Sequence, residues 1–286
     1  MIGSTVSCCS RTDRVGRDGF LRLVFEWRGG QTVLTERRYT LPLQALEPSR
    51  LPDGSLYMMM LNPTGGIFGG DRLRAEIVLG AGTHVVLTTP SASKIHRALD
   101  RAATCRTEIS IGEDAVVEYL PDHLIPHPGS ALRQNLAITM APGSSAIVYD
   151  AIAAGRIGRD ERWRFREMTT EISIDFDAAP GYLSRSSLIP GINSLAVPGL
   201  TDGFDYFGSI IATRHGNSFK MDCKAVDAAI AEIPGVWAGA SALATKGVVG
   251  KFLAPSADSL TRAMFSGWSV VRKQLMGMDG FDLRKL

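Results

Sequence analysis

Thr104-Cys105-Arg106-Thr107-Glu108-Ile109-Ser110-Ile111 runs into Gly112, and Ala115-Val116-Val117-Glu118-Tyr119-Leu120 runs into Pro121. Both runs are short, rich in β-branched residues and closed by a residue that breaks a strand, which is how strands in an all-β chain are written. The same grammar holds upstream, in residues 21–27 before Gly29-Gly30, 75–79 before Gly80-Ala81-Gly82 and 85–89 before Pro90. It continues downstream in residues 132–140 before Pro142-Gly143. From Phe20 to Ala178 the turn signals recur at roughly the 8–12-residue spacing of a sandwich, barrel or β-solenoid, and no βαβ alternation is present. The body therefore reads as mainly β.

The last third changes character. Residues 180–203 are rich in Gly, Pro and Ser and read as a loop, after which two helical patterns appear. The first covers 224–233 and stops at Pro234. The second opens at the N-cap Ser256, carries Asp258 in its first turn, repeats apolar residues at Leu260, Met264, Trp268, Val271 and Leu275, and stops at Gly277. Steps of three and four make that stripe one face of a helix lying on the sheet.

At 286 residues, with 45% hydrophobic residues, the chain is expected to form a single domain over 1–286, with 1–18 as a flexible N-terminus. The 31 basic and 29 acidic residues are spread evenly, which argues against nucleic acid and anionic membranes as partners. The first twenty residues lack the apolar run of a signal peptide, and no later stretch offers the roughly 20 apolar residues of a spanning helix. Cys8, Cys9, Cys105 and Cys223 form no CxxC pair, so neither a disulfide framework nor a zinc ribbon is signalled. The expectation is a soluble protein of the reducing cytoplasm.

Several motifs fail on inspection. Asn62-Pro63-Thr64-Gly65-Gly66-Ile67-Phe68-Gly69-Gly70-Asp71 lacks the lysine and hydroxyl of a P-loop, and neither it nor 80–85 fits GxGxxG. Its paired glycines instead permit positive φ and close backbone approach, with Asp71 ending a tight turn. Gly239-Ala240-Ser241-Ala242-Leu243 lacks the final glycine of a nucleophile elbow. His123 and His127 are four apart, but Pro121, Pro126 and Pro128 disfavour a helix, so the pair reads as loop histidines. Weak nickel contact from His84, His96, His123 and His127 stays open, because imidazole suits Ni(II). In Met58-Met59-Met60, strand alternation points to core packing rather than a soft-metal site. Asp71, Glu118, Asp150 and Glu161 interrupt apolar stretches; singly each reads as a cap or surface carboxylate, while together they could line a polar path for a hydrated divalent ion.

The 62–73 segment closely resembles the NPxGGxxGGDxL signature of the UreD (UreH) family of urease accessory proteins, in Asn62, Pro63, Gly65, Gly66, Gly69, Gly70 and Asp71. Other segments resemble that family in order: Thr32-Val33-Leu34 with Pro42-Leu43, then 88–97 with Lys94 and Arg97, then Glu118-Tyr119-Leu120-Pro121. Asp150 with Gly155, Arg156 and Glu161, then Gly239-Ala240-Ser241, and finally Arg262, Trp268 and Arg272 complete the series. Departures are His96, where the family often has an aromatic, Asp160 in place of glycine, and Asp122-His123 in place of Gln-Glu or Gln-Asp. The resemblance implies a β-solenoid-like fold with a pair of helices. It also implies a non-enzymatic scaffold that binds UreF, and through it the GTPase UreG, against apo-urease, with nickel passing transiently through the interior and no tightly bound cofactor. The competing readings are a nickel storage or sensor protein and a hydrolase using carboxylates such as Asp71 and Asp150.

Overall fold

The computed structural model describes residues 17–177, 179–192, 194–216, 221–244 and 247–283. Of the expected flexible N-terminus, residues 1–16, with Cys8 and Cys9, lie outside the described residues; Asp18 opens the first strand and pairs its carboxylate with Arg72. Cys105 and Cys223 are free thiols.

The first sheet has the order Ala179–Leu188, Glu167–Phe176, Ala131–Met140, Ala103–Ile111, Arg72–Leu79, Asp18–Arg28, Gln31–Thr40. Its inner five strands are parallel and the outermost two fold back antiparallel. Parallel neighbours need a crossover between them, and here each crossover is a strand of the second sheet. That sheet runs Trp237–Leu243, Gly247–Ala254, Tyr206–Arg214, Ser145–Ala153, Val116–Leu120, His84–Thr88, Leu56–Leu61, Gln44–Ala45. A short third wall pairs Ser93–Ile95 with Leu124–Pro126, and Leu124 lies beside Ile152. The chain thus winds through first sheet, second sheet and third wall in stacked coils, a β-solenoid-like body.

The recurring turn signals are the corners of successive coils. Gly80 N–H donates to Phe25 O, Gly112 to Leu79 O and Ala141 to Ile111 O, at 2.8–2.9 Å. Each corner thereby satisfies backbone groups of the coil beneath it. Side chains stack likewise: Leu23, Ile77, Ile109, Ile138 and Ile174 stand in register across five strands, with Phe25, Leu79, Ile111, Met140 and Phe176 as the next row. These ten side chains belong to one inner core or pack against it, and each fully buried one contributes about 1.5–3 kcal/mol. Met58 and Met60 face this core, while Met59 packs on the other side of the sheet, as alternation requires.

The loop expected over 180–203 is a strand in its first part, Ala179–Leu188, paired antiparallel with Glu167–Phe176. Pro180 sits where the register shifts, on an outer edge where no ladder donor is needed, so a residue that argues against a central strand is tolerated. Trp237–Leu243 and Gly247–Ala254, two strands beyond those that the sequence pattern predicts, pair antiparallel and extend the second sheet.

Helix α1 (Cys223–Ala231) and helix α2 (Ala257–Met276) lie on the outer face of the second sheet. Ser256 Oγ accepts from Ser259 N at 3.1 Å, and Gly277 ends α2 with φ of 70°. Leu260, Met264, Trp268, Val271 and Leu275 are all buried against Ile147, Tyr149, Ile210 and Phe252. The first helix is slightly shorter than expected and stops ahead of Ile233-Pro234, because a residue before proline disfavours helical backbone.

Candidate functional site

Strand alternation decides what faces the interior. Gln134 shares its face with Leu136, Ile138 and Met140, and so turns inward. In register with it stand Cys105, Thr170 and Ser186, a polar row between the main apolar core and a smaller apolar cluster that holds Ala103, Leu132 and Met168. The second sheet supplies its own row: Asp150, inward like Val148, stands beside Ser209, and Ser209 beside Lys251. Where these polar rows replace aliphatic ones, the interior is not filled. A cavity of about 330 Å³ is lined by Asn62, Gly66, Lys94, Cys105, Tyr119 and Asp150. A second of about 490 Å³ is lined by Asp150, Thr170, Ser186, Ser209, Lys251 and Trp237. Leu124, Asp150 and Ala151 border both, so the two meet at Asp150.

Burial pushes the Asp150 carboxyl up to about 6, against the pull of Lys251. Burial also pushes the Cys105 thiol up to about 12, with Asp71 adding to it, and the Tyr119 phenol to about 12. At neutral pH the junction therefore offers a carboxylate on which Lys251 acts, among neutral oxygen groups and a protonated thiol. Carboxylate, carbonyl and hydroxyl ligands hold hard and borderline divalent ions weakly enough to let them go.

The 62–71 segment forms one wall of the first cavity. Asn62 organises it: Oδ1 accepts from Thr64 N at 3.0 Å, and Nδ2 donates to Gly66 O at 2.8 Å, while Pro63 stays exposed. Gly66 has φ of +150°, and a Cβ there would lie 2.6 Å from Lys94 O and 2.7 Å from His96 Nε2. At Gly69 a Cβ would meet Ala98 Cα at 2.5 Å. Asp71, 5% exposed, accepts from Phe68 N at 2.8 Å and so caps its own turn; burial raises its pKa in spite of that bond.

The four acids expected along one path occupy separate environments. Glu118 is the clearest departure. It stands in register with Ile147 and faces the helices, on the opposite side of the second sheet from Asp150. There, fully buried, it accepts from Trp268 Nε1 at 2.6 Å and Arg272 Nε at 3.1 Å, and bonds His84 Nε2 at 2.7 Å. Arg272, also buried, pairs with Asp53 and donates to Asp279 O at 2.6 Å. Glu161 forms a two-pronged pair with Arg156, just after Gly155, which holds the Glu161 carboxyl below the usual range. Asp71 lines neither cavity, so the structure gives no contact between Asp71 and Asp150 of the kind a paired-carboxylate hydrolase would use.

Of the other candidates, Arg262 is exposed and lies 3.9 Å from Asp258, one turn back. The Arg97 backbone bridges to Ser130, and Lys94 O accepts from Ile67 N at 2.8 Å. His96 and His127 come together, with ring centroids 4.7 Å apart; His84 is held by Glu118, and His123 packs edge-on against Tyr206. Burial pushes His127 down to about 4, helped by Arg156, His96 and Lys94. Among the described residues no group of three or more His, Cys, Asp or Glu could hold a metal ion, and no helix is long and apolar enough to cross a membrane. Sequence reasoning missed Tyr119, Gln134, Ser209 and Lys251 at the cavities and Asp53 at the helix interface. The signal for the first four was a polar residue at an inward position of a strand, readable only once the inward face is known.

A family model described as UreD urease accessory protein matches residues 17–284. The "Urease accessory protein UreD" of Deinococcus radiodurans is 35% identical over 209 residues, 73% of either chain. "Urease accessory protein UreD 2" of Streptomyces griseus is 33% identical over 274 residues, 93% of either chain, and the Cupriavidus necator protein is 29% identical over 268 residues, 92% of either.

Proposed function

We propose, on the premise that this chain belongs to the UreD family of urease accessory proteins and works in urease maturation, that it is a cytoplasmic, non-catalytic scaffold through whose interior nickel passes to apo-urease. UreF is its direct partner, and UreG joins through UreF. The cavities offer oxygen groups together with Lys94 and Lys251, and nickel is read as cargo. The observation that supports the reading is the meeting at Asp150 of two cavities that open to the surface, between inward polar rows that end beside edge strands. A hydrated divalent ion moving along such rows would exchange water for carboxylate and hydroxyl oxygens without being trapped.

The test is Asp150→Ala, purified with its partners from cells making urease. Complex yield should match wild type while the nickel content and activity of urease fall. Normal nickel content, or a collapse of complex yield, refutes the transfer role of Asp150. Asp71→Ala separates the capping role, since loss of the turn cap should cost on the order of 1 kcal/mol and lower complex yield first.

A further inference from the structure

We propose that His96 and His127 form a two-imidazole site for a borderline divalent cation on the outer side of the 62–71 loop. The identification of that cation as nickel rests on the proposed role in urease maturation; the site itself rests on geometry.

Imidazole nitrogens bind first-row divalent ions at about 2.0–2.1 Å, which puts each ring centroid about 3.2 Å from the ion; two rings at about 90–110° then have centroids about 4.5–5.2 Å apart. The observed separation is 4.7 Å in an edge-on contact with the ring planes at 77°, a spacing within that range. The His96 ring is held in place. One face stacks on Phe68, centroids 4.3 Å apart and planes at 8°, and Nε2 lies 3.3 Å from Gly65 O. A ring that donates one N–H to a backbone carbonyl presents its other nitrogen as a lone-pair donor, the arrangement that orients metal-binding histidines. His127 is fixed through its backbone, whose N–H donates to Ile95 O at 2.9 Å.

The surroundings favour exchange over storage. Glu161 acts on His127 with an attractive charge, but Arg156 and Lys94 act on it with the opposite sign, so the remaining ligands would be water and the hold weak. Gly66 and Lys94 line the first cavity, and Gly66 has no side chain between that cavity and the His96 ring. A cation on the two rings would sit against the same loop that walls the interior.

The test uses the untagged full chain and Ni²⁺ alone, followed by imidazole ¹H–¹⁵N correlation spectra. Sub-stoichiometric Ni²⁺ should broaden His96 and His127 first and leave His84 and His123 sharp. His96→Phe, which keeps a ring to stack on Phe68, and His127→Phe should each weaken Ni²⁺ binding on the order of tenfold or more, with His123→Phe unchanged. Uniform broadening of all the histidines, or wild-type affinity in the His96→Phe/His127→Phe double variant, overturns the site. The spectra of the wild-type chain decide the matter even if a variant fails to fold. Ni²⁺ on the pair in a chain whose deletion leaves urease activation normal would sink the maturation role and support the site. A chain required for activation whose pair leaves Ni²⁺ unbound would sink the site alone.

Discussion

Replacing Glu118 with Leu should destabilise the protein severely and for an identifiable reason. The carboxylate is completely buried and takes Trp268 Nε1 at 2.6 Å, Arg272 Nε at 3.1 Å and His84 Nε2 at 2.7 Å. Leucine would leave the indole N–H and part of the guanidinium without acceptors, in a place that water does not reach. An orphaned buried donor costs about 1–3 kcal/mol, and a buried ion pair that loses one partner about 3–5 kcal/mol. Arg272 keeps Asp53 and the Asp279 carbonyl, which offsets part of the loss. The expected total is about 3–5 kcal/mol, or roughly 5–8 °C in Tm for a chain of 286 residues. Glu118→Gln, which can still accept from the indole, should lose less. Calorimetry and guanidinium titration followed by far-UV circular dichroism would measure both variants. If Glu118→Leu unfolds with wild-type stability but fails to activate urease, Glu118 belongs to the metal route and its reading as a helix clamp is wrong.

Trp268→Ala should cost about 3–5 kcal/mol, since the side chain is 1% exposed at the centre of the buried helix face; full stability with loss of a partner would show that face to be an interface. Gly66→Ala should lower stability by about 1–3 kcal/mol through contact with Lys94 O and strain at positive φ, measurable as a lower denaturation midpoint; an unchanged midpoint would mean the loop yields freely. Asp150 has its folded pKa raised to about 6 by burial, so the stability tied to its neutral form is complete below its unfolded pKa and is lost as pH rises through about 6. Asp150→Asn should therefore gain on wild type by about 1–3 kcal/mol between pH 4 and pH 7, as ordered by paired melts across that range, and a gain that shrinks with rising pH would contradict the burial argument.

The strands at 21–27, 75–79, 85–89, 104–111, 115–120 and 132–140 and both helices were legible because their signals are local. Residues 104–111 and 132–140 alternate and stop at glycine or proline, and Ser256 and Gly277 bracket an apolar stripe whichever surface it meets. The strand Ala179–Leu188 was not, because pairing with Glu167–Phe176 on an open edge overrode a composition of Gly, Pro and Ser. Candidate residues divided the same way. The 62–71 segment could be read as a turn with Asp71 at its end, since the bonds that shape it, from Asn62 to Thr64 and Gly66 and from Phe68 N–H to Asp71, lie within the segment; the packing of Lys94, His96 and Ala98 against it could not. Glu118 and Asp150 looked alike as carboxylates in apolar runs, and alternation alone says only that neighbours differ in face.

By itself the sequence determined the mainly β body, the corner positions, the caps of α2 and the side chains that α2 buries, because each depends on spacing along one stretch of chain. Only the tertiary structure decided that Glu118 clamps Trp268 and Arg272, 150 and 154 residues away, while Asp150 borders two cavities on the other face. It also decided that His96 meets His127 rather than His123 joining it. Which side of a strand becomes the interior, and which coils come to lie on one another, is settled by packing between segments far apart in the chain, where no local pattern reaches.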